Sequence, residues 1–517
     1  MLEEYARHLL EGWHPVIAAN RAPLEVQKRG SDYVALRGTG GLVSALSTLA
    51  TSTDAVWVGC ARTEADREVA AEHPRSPVRL TGDDGRTYQV GFVCPEEEAY
   101  DLYYNIISNP LLWFIQHYLW DLSHEPLLDR STDRAWNEGY VKVNQLFADR
   151  IVQAARRGDE LRPLILLQDY HLYLVARMVR QRYPEATLQQ FIHIPWPTPQ
   201  YWKVLPRKMR DPIVDGLLGN DIVGFQTTRD CRNFLLTCEE NMGLTVDYRE
   251  QTVFSAGRTV WVRAYPVSID VDQFAEMAQS PAVLEEQRHI RRWRPERLIL
   301  RVDRSDPSKN LLRGFAAYDR MLHDHPDLIG RVLFWAYMQP SRQDIPSYRK
   351  YVRDVQFAAR ELNQRYGTEG WRPVRLELRE DMARAVAAYK EFDVLLVNSI
   401  YDGMNLVAKE GMMVNERDGM LILSENAGSH DELGQWAFSI NPFDVDATAD
   451  ALFRAATMGA PQRAARIKRI REWVRHHDVV RWISAQLQDI RDLTTTGRSL
   501  SRRGRAGGRA QGVPEIA

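Results

Sequence analysis

Short apolar runs alternate with longer amphipathic stretches along most of this chain. Such alternation predicts buried strands separated by helices, which is typical of a parallel α/β sheet. In the first half, strands are predicted over residues 164–167, 191–194 and 222–225, and a helix over residues 171–182. The second half repeats the design, with strands predicted over residues 298–302, 332–335, 376–378, 394–397 and 420–423.

The pattern breaks near residue 265. A strand-like run over residues 260–264 is followed by Tyr265-Pro266, and residues 271–295 are charged and helical without a strand signal. We therefore predict two doubly wound, Rossmann-like domains, residues 1–265 and 266–475, that face each other across a cleft. Because ligands of open α/β sheets lie beyond the carboxyl ends of the strands, functional residues should cluster directly after strands in both domains.

The end of the chain has a different character. Residues 476–493 are predicted to form a C-terminal helix that packs back on the first domain. Thr, Gly, Ser and Arg dominate residues 494–517, and this low apolar content predicts a disordered basic tail. A basic tail can contact nucleic acid, but a solvated end is the favoured interpretation.

Composition narrows the class of protein. The 517 residues include 44% hydrophobic and 26% charged side chains, and 67 basic against 69 acidic groups leave a formal charge of −2. This balance argues against nucleic acid as a partner. Four cysteines without a C-x-x-C pair argue against a disulfide framework and a structural zinc site. The start of the chain does not resemble a signal peptide and no apolar run reaches about 18 residues, so we expect a cytoplasmic protein without membrane contact.

A basic loop follows the predicted strand at residues 298–302. It reads Asp303-Arg304-Ser305-Asp306-Pro307-Ser308-Lys309, so two cations lie five residues apart. A guanidinium and an ammonium can converge on one diphosphate there, and the start of the next helix adds free N–H groups. The alternative is a charged surface loop.

A second loop follows the predicted strand at residues 394–397 and reads Asn398-Ser399-Ile400-Tyr401-Asp402-Gly403-Met404-Asn405-Leu406-Val407-Ala408-Lys409-Glu410. Asp402 can lie at a helix start, and Gly403 allows the backbone to approach a ligand closely. Glu410 is expected two turns along, on about the same side, where it can accept from a ribose diol. The alternative is a capping Asp and a solvated Glu.

Polar residues also end two strands of the first half. Asp169 follows one predicted strand and His193 ends the next, so both should point into one crevice, where each can bind sugar hydroxyls. The alternative for His193 is a structural role. Nearer the start, Arg21 precedes a glycine-rich turn, Gly38-Thr39-Gly40-Gly41, which could cradle a phosphate but matches neither G-x-G-x-x-G nor a P-loop.

Together these segments resemble the trehalose-6-phosphate synthase family, retaining glycosyltransferases of the GT-B fold. The resemblance runs from about residue 16 to about residue 489 and includes the unbroken match over residues 402–410 and the pair Arg304 and Lys309. It implies that the first domain binds the acceptor, glucose 6-phosphate, and the second binds a nucleotide-linked glucose. The residues implied for the acceptor are Arg21, Tyr104, Trp113, Asp169 and Arg342.

The resemblance also implies a donor site and a mechanism. The leaving diphosphate accepts the proton of the acceptor on the same face, and the two cations stabilise the charge that develops, in place of a metal. No cofactor is implied. The implied catalytic residues are Arg304, Lys309, Asp169 and His193. The implied donor-binding residues are Gly41, Arg304, Lys309, Asn398, Asp402, Asn405, Leu406, Val407 and Glu410.

Departures from the family pattern lie mostly on the donor side. Pro307 and Asn310 replace a Tyr and a Gly, and residues 398–401 replace the commoner Thr-Pro-Leu-Arg. Our hypothesis is therefore a GDP-glucose donor rather than UDP-glucose. The guanine N–H groups could be satisfied by Glu380, Asp381 or the amide of Asn398.

Two other functions stay open from the sequence. One is a pseudo-glycosyltransferase of the same fold, which joins a cyclitol nucleotide to an aminocyclitol phosphate. The other is a sugar-nucleotide sensor without turnover, and the presence of Arg304, Lys309 and Asp169 argues against it. A homo-oligomer is possible but the sequence does not predict one.

Two acidic motifs are interpreted as chance matches. Asp270-Val271-Asp272 has D-x-D form but lies between the domains. Asp444-Val445-Asp446-Ala447-Thr448 has the form of a phosphatase nucleophile motif, yet too little chain follows it for a further domain. We expect Asp444 or Asp446 to cap a helix over residues 447–456.

Overall fold

The computed structural model describes residues 2–29, 32–37, 41–156 and 161–506. The fold rests on two large sheets, one in each half of the chain, and the second and third strands form a separate two-stranded sheet. The strands in chain order are β1 Trp13–Arg21, β2 Leu24–Arg29, β3 Asp32–Arg37, β4 Val56–Cys60, β5 Val78–Thr81, β6 Thr87–Val93, β7 Arg162–Gln168, β8 Thr187–Phe191, β9 Ile222–Phe225, β10 Thr245–Asp247, β11 Thr252–Ser255, β12 Arg258–Ala264, β13 Arg297–Arg304, β14 Val332–Gln339, β15 Val374–Leu378, β16 Val394–Val397, β17 Met420–Ser424 and β18 Phe438–Ile440.

Helices connect and cover these strands. In chain order they are α1 Leu2–Leu9, α2 Gly41–Ser52, α3 Glu64–Glu72, α4 Glu97–Asp101, α5 Trp113–Gln116, α6 Arg130–Arg134, α7 Lys142–Ala155, α8 Val175–Arg182, α9 Pro199–Trp202, α10 Arg207–Leu217, α11 Thr228–Met242, α12 Val271–Met277, α13 Pro281–Trp293, α14 Leu311–Asp324, α15 Pro346–Tyr366, α16 Met382–Glu391, α17 Val407–Val414, α18 Ser429–Leu433, α19 Val445–Thr457, α20 Ala460–His476 and α21 Val479–Ala506. Two π-helical stretches, Leu102–Leu112 and Ala135–Val141, precede α5 and α7.

The N-terminal lobe is built on a ten-stranded sheet of order β10-β11-β12-β9-β8-β7-β1-β4-β6-β5. Its central strands are parallel, and their side chains are almost entirely buried because helices cover both faces. In the β7–β8 pair Gln168 is opposite Phe191, so these neighbouring strands end at the same edge. This edge is where the sequence predicts the polar residues of the first half.

The C-terminal lobe is built on a six-stranded parallel sheet of order β15-β14-β13-β16-β17-β18. Counted from β13, this is the order 3-2-1-4-5-6 of a doubly wound nucleotide-binding domain. The order reverses between β13 and β16, which creates a crevice at their carboxyl ends. The basic loop after β13 and the Asp402 loop after β16 therefore meet at one place.

The chain crosses between the lobes after β12, and α12 and α13 fill the region for which the sequence predicts helices. The helix α21 returns to the N-terminal lobe, where Trp482 and Ile483 join the apolar core with Phe191. The Gln189 amide donates to Gln486 Oε1 at 2.8 Å, which ties this helix to β8.

Some element boundaries differ from the predicted ones. The strand predicted over residues 191–194 ends at Phe191, and the helix predicted from residue 171 begins as a 3₁₀ turn, Tyr170–Leu172, before α8. Residues 494–506 continue α21, whereas the sequence predicts disorder from residue 494. Within this stretch the Thr495 hydroxyl donates to the Arg491 carbonyl one turn earlier. Residues 507–517 of the predicted tail lie outside the described part.

Both chance motifs are helix caps. Asp270 accepts from the Gln273 amide at the start of α12, and Asp444 accepts from the Ala447 amide at the start of α19. A carboxylate at this position satisfies amides that have no partner within the helix. The prediction of a capping role is confirmed for Asp444. Among the helices of the described ranges, none is long and apolar enough to cross a membrane.

Candidate active site

The two lobes meet backbone to backbone beside the cleft. A Cβ added at Gly403, in the C-terminal lobe, would lie 2.1 Å from the carbonyl oxygen of His193 in the N-terminal lobe. Only glycine allows this approach. The sequence predicts that Gly403 lets the backbone approach a ligand, but in the structure the close neighbour is the other lobe.

Arg342 lies deep in the cleft after β14, and its backbone has a φ of 51°. Its guanidinium carbon is 4.0 Å from the centre of the Trp113 ring, and its Nη2 donates to the Tyr170 hydroxyl at 3.2 Å. Trp113 and Tyr170 belong to the N-terminal lobe. The cation is thus held from both lobes, against an aromatic wall.

Tyr104 and Arg21 add a second part to this cationic region. Burial opposes ionisation of the Tyr104 phenol, but the nearby Arg342 and Arg21, with a hydrogen bond from Arg21, lower its pKa to about 8. Its ring stacks on His171 with 5.9 Å between centres. Two guanidinium groups and a phenol suit a phosphate dianion.

Asp169 directly follows β7, and His193 lies two residues beyond the end of the neighbouring strand β8. Asp169 has a φ of 71°, and its Oδ1 accepts from the His193 backbone amide at 3.2 Å. Burial raises the Asp169 pKa to about 6 and lowers the His193 pKa to about 3. The His193 Nε2 lies 3.0 Å from Gln168 Oε1, which orients the ring. Both side chains lie at the predicted crevice.

The two cations of the basic segment are held in different ways, and Arg304, predicted in the loop, is the last residue of β13. The Arg304 guanidinium is exposed, with its carbon 5.4 Å from the centre of the Trp113 ring. The Lys309 ammonium forms an ion pair with Asp402. Asn310 adopts the left-handed conformation, with a φ of 61°, where the family pattern has Gly. Asn tolerates this conformation better than most residues, so the loop can keep its shape.

The Asp402 loop is closed by its own polar side chains. The Asn405 amide donates to Asp402 Oδ2 at 3.0 Å, and its oxygen accepts from the Ala408 amide. Helix α17 begins directly after Leu406, at Val407, so backbone N–H groups at its start face the loop. Because α17 begins there, Glu410 lies in its first turn and not two turns along, which corrects the expected placement.

Glu410 is largely enclosed, and burial raises its pKa to about 7. The Tyr389 hydroxyl donates to its Oε2 at 3.2 Å. Asn398 differs in its surroundings, because its Oδ1 accepts from Arg301 and its Nδ2 donates to the Asn310 carbonyl at 3.2 Å. Both ends of that amide are engaged within the protein. Gly41 begins α2, and residues 38–40 of the glycine-rich turn lie outside the described ranges.

Two buried residues of the cleft were not singled out by the sequence analysis. Asp306 accepts hydrogen bonds from Trp113, Ser308, Arg342 and Tyr348. His117 stacks on Trp113 with 4.0 Å between ring centres, and burial lowers its pKa to about 4. No sequence motif around Asp306 or His117 distinguishes these residues from ordinary polar residues. Across the described ranges, no cluster of His, Cys, Asp or Glu is arranged to hold a metal ion.

Two facing lobes of the nucleotide-binding type are also found in a known protein family. The sequence profile of glycosyltransferase family 20 matches residues 14–492. The chain belongs to this family. The structure also superposes on an α,α-trehalose-phosphate synthase (UDP-forming) from Burkholderia vietnamiensis, with a TM-score of 0.77 and 29% identity over 93% of this chain and 100% of that one. The GT-B fold predicted from the sequence is therefore confirmed.

Two relatives in this family are named for different reactions. A trehalose-6-phosphate synthase of Mycobacterium sp. (strain KMS) is 32% identical, covering 92% of this chain and 95% of the relative. A validamine 7-phosphate valienyltransferase of Streptomyces hygroscopicus subsp. jinggangensis is 29% identical, covering 89% of each. Other relatives are longer, and the chain spans 62% and 55% of the length of two of them.

Proposed function

We propose that this protein transfers glucose from a nucleotide-linked donor to glucose 6-phosphate, with retention, and so forms α,α-trehalose 6-phosphate. The observation that carries the proposal is the arrangement of cations around Trp113. Arg342 and Arg304 both lie at its ring, with Tyr104 and Arg21 nearby. One phosphate-binding region thus adjoins a second on the opposite lobe, as a sugar phosphate and a sugar nucleotide require.

In the proposed reaction the acceptor phosphate binds Arg21, Tyr104 and Arg342, and its sugar lies against Trp113. The donor diphosphate binds Arg304, Lys309 and the backbone N–H groups at the start of α17. As the bond from the anomeric carbon to the diphosphate breaks, negative charge grows on the leaving oxygen. Two fixed cations stabilise that charge, and the same oxygen accepts the proton of the attacking hydroxyl.

Asp169, His193 and Asp402 are proposed to bind sugar hydroxyls, and Glu410 the ribose. Burial keeps His193 neutral near pH 7, whereas Asp169, with a pKa of about 6, is mostly ionised there. Asp169 can therefore accept hydrogen bonds from sugar hydroxyls, and the neutral His193 ring can also bind them. Asp402 is kept ionised by Lys309, which lowers its pKa against the effect of burial. It can accept from a hydroxyl when the donor draws Lys309 to its phosphates.

The test is a product assay with the full chain. Glucose 6-phosphate is mixed with GDP-glucose or UDP-glucose, and the product is analysed by NMR for a nonreducing α,α-linked disaccharide phosphate. The same assay in a chelating buffer tests whether the cations suffice without a metal, and we expect unchanged turnover. Absence of the disaccharide with every donor would exclude the proposed function.

For the donor base, we retain GDP as the proposed preference, although the structural relative described above is named as UDP-forming. Three groups were candidates for the guanine N–H donors. The Asn398 amide is engaged by Arg301 and Asn310, and Asp381 is paired with Arg379 while it caps α16. Exposed Glu380 is therefore the group best able to accept from guanine.

This preference is tested by comparing kcat/KM for the two donors. A Glu380→Gln variant should lose about tenfold with GDP-glucose and little with UDP-glucose, because a neutral amide accepts less strongly. Glu369, an exposed residue in the loop before β15, gives the matched control Glu369→Gln. A wild-type preference for UDP-glucose would defeat the GDP proposal and leave the glucosyltransferase proposal intact.

The pseudo-glycosyltransferase function remains the second candidate, because a valienyltransferase is among the relatives. The presence of Tyr104, Trp113, Asp402 and Glu410 in the cleft favours ordinary sugars. Incubation with a cyclitol nucleotide and an aminocyclitol phosphate distinguishes the two. The cytoplasmic location, the absence of nucleic-acid and membrane partners and any homo-oligomer stay predictions.

A further inference from the structure

Asp306 is a fully buried carboxylate at the centre of the cleft that the proposed reaction does not use. Its Oδ1 accepts from the Trp113 indole Nε1 at 3.3 Å and from the Ser308 amide at 2.9 Å. Its Oδ2 accepts from Arg342 Nη1 and from the Tyr348 hydroxyl, each at 3.3 Å. The two carboxylate oxygens thus accept hydrogen bonds from four donors.

These four donors come from three parts of the molecule. Trp113 belongs to the N-terminal lobe, Ser308 to the basic loop that carries Lys309, and Arg342 and Tyr348 to the segment between β14 and the first turn of α15. Trp113 Nε1 has one hydrogen to give, and it points at Asp306. The Trp113 ring is therefore fixed by the loop of the opposite lobe.

The same carboxylate fixes the direction of Arg342. The backbone of Arg342 is in the left-handed region, which is uncommon for a residue with a long side chain. Asp306 and Tyr348 hold Nη1, while Tyr170 accepts from Nη2. Because Asp306 stays ionised among Arg342 and Arg304, it is a permanent acceptor at neutral pH.

We propose that Asp306 is a positioning residue that joins Trp113 and Arg342 to the basic loop, so that both side chains keep the positions needed for a sugar phosphate only while Asp306 accepts from them. This inference rests on the proposed function, because it assigns the acceptor to Trp113 and Arg342. Asp306 itself touches neither substrate. It acts through the two side chains it orients and through the Ser308 amide.

The first experiment uses Asp306→Asn. An amide can accept on one side only, so either Trp113 and Ser308 or Arg342 and Tyr348 must face an N–H group. We expect KM for glucose 6-phosphate to rise about tenfold or more, with KM for the sugar nucleotide changed less than about threefold. The buried Asp221, which pairs with Arg180 away from the cleft, gives the control Asp221→Asn. Its KM values should match the wild type.

A second experiment separates positioning from charge. If Asp306 only moderates the positive charge of Arg342 and Arg304, then Asp306→Asn should bind inorganic phosphate more tightly than the wild type in calorimetry. Tighter binding overturns the proposal, and weaker binding supports it. Unchanged phosphate binding together with unchanged KM also overturns it.

A double-mutant cycle tests the route through Trp113. Trp113→Phe keeps an aromatic wall and removes the donor to Asp306, so its effect on KM should overlap with that of Asp306→Asn and the pair should be non-additive. Additive effects contradict the proposal. If Asp306→Asn does not fold, Tyr348→Phe provides the test, because it removes one of the four donors and should raise KM for glucose 6-phosphate about threefold. Wild-type turnover decides the proposed function separately.

Discussion

The Lys309 ammonium is ion-paired with the Asp402 carboxylate, although 93 positions separate them in the chain. Both side chains are largely buried at the carboxyl ends of β13 and β16, the two strands where the strand order of the C-terminal lobe reverses. In the proposed reaction, the donor diphosphate competes with Asp402 for this cation. The ion pair then holds Lys309 close to the proposed position of the leaving group.

Replacing either cation of the basic loop should reduce turnover. Lys309→Ala or Arg304→Ala removes a charge that stabilises the leaving diphosphate, so we expect kcat to fall by about 10²- to 10³-fold. Arg320→Ala is the matched control, because Arg320 is exposed on α14 directly after the same loop. Steady-state kinetics with thermal unfolding curves checks both. If Lys309→Ala retained more than half of the turnover, its assigned role would be excluded.

Gly403→Ala should separate the lobes. Its Cβ would meet the His193 carbonyl oxygen at 2.1 Å, and backbone cannot yield as a flexible side chain does. We expect a loss of stability of about 1–3 kcal/mol and at least tenfold lower kcat/KM, because Asp402 moves with the loop. Gly370→Ala is the control, since nothing lies within 4 Å of its added Cβ. Equal unfolding midpoints for the two variants would contradict this account.

Glucose 6-phosphate should bind more weakly as pH rises above about 8. Although burial disfavours it, Tyr104 ionises near pH 8 because Arg342 and Arg21 lower its pKa, and the phenolate then repels the phosphate dianion. KM measured between about pH 7 and 9.5 should rise in the wild type and stay level in Tyr104→Phe. Tyr100→Phe should keep the rise, because burial raises the pKa of the neighbouring Tyr100. A rise that survives in Tyr104→Phe would assign it to another group.

Glu410 should make the folded protein less stable as pH rises. Burial raises its folded-state pKa to about 7 from 4.5, so the folded state binds this proton more tightly than the unfolded state. Stability from this group is then present below about pH 4.5 and lost as pH rises through about 7. Glu410→Gln lacks this loss. In denaturant unfolding, the free energy of unfolding of the variant should rise relative to that of the wild type between about pH 4.5 and pH 7. A difference that does not change with pH would contradict the raised pKa of Glu410.

The sequence was informative where a local pattern carries the signal. Apolar runs predicted the bounds of β9 and β16 correctly. The residues after β13 and β16 were expected in a cleft because parallel strands end at one edge of the sheet. The cap at Asp444 was predictable for the same local reason. Boundaries were less so, as at Phe191, where the neighbouring strand and not the local run decides where pairing stops.

By itself, then, the sequence determined the two-lobed α/β framework, the family resemblance and the loops that carry the charged residues, because each follows from periodicity or from short motifs. Only the tertiary structure decided that Gly403 contacts His193, that Lys309 pairs with Asp402, and that Asp306 joins Trp113 to Arg342. These contacts join residues far apart in the chain. The first and the third depend on how the two lobes pack together, and the second depends on the pairing of β13 with β16. The spacing of residues along the sequence does not determine how these elements pack together.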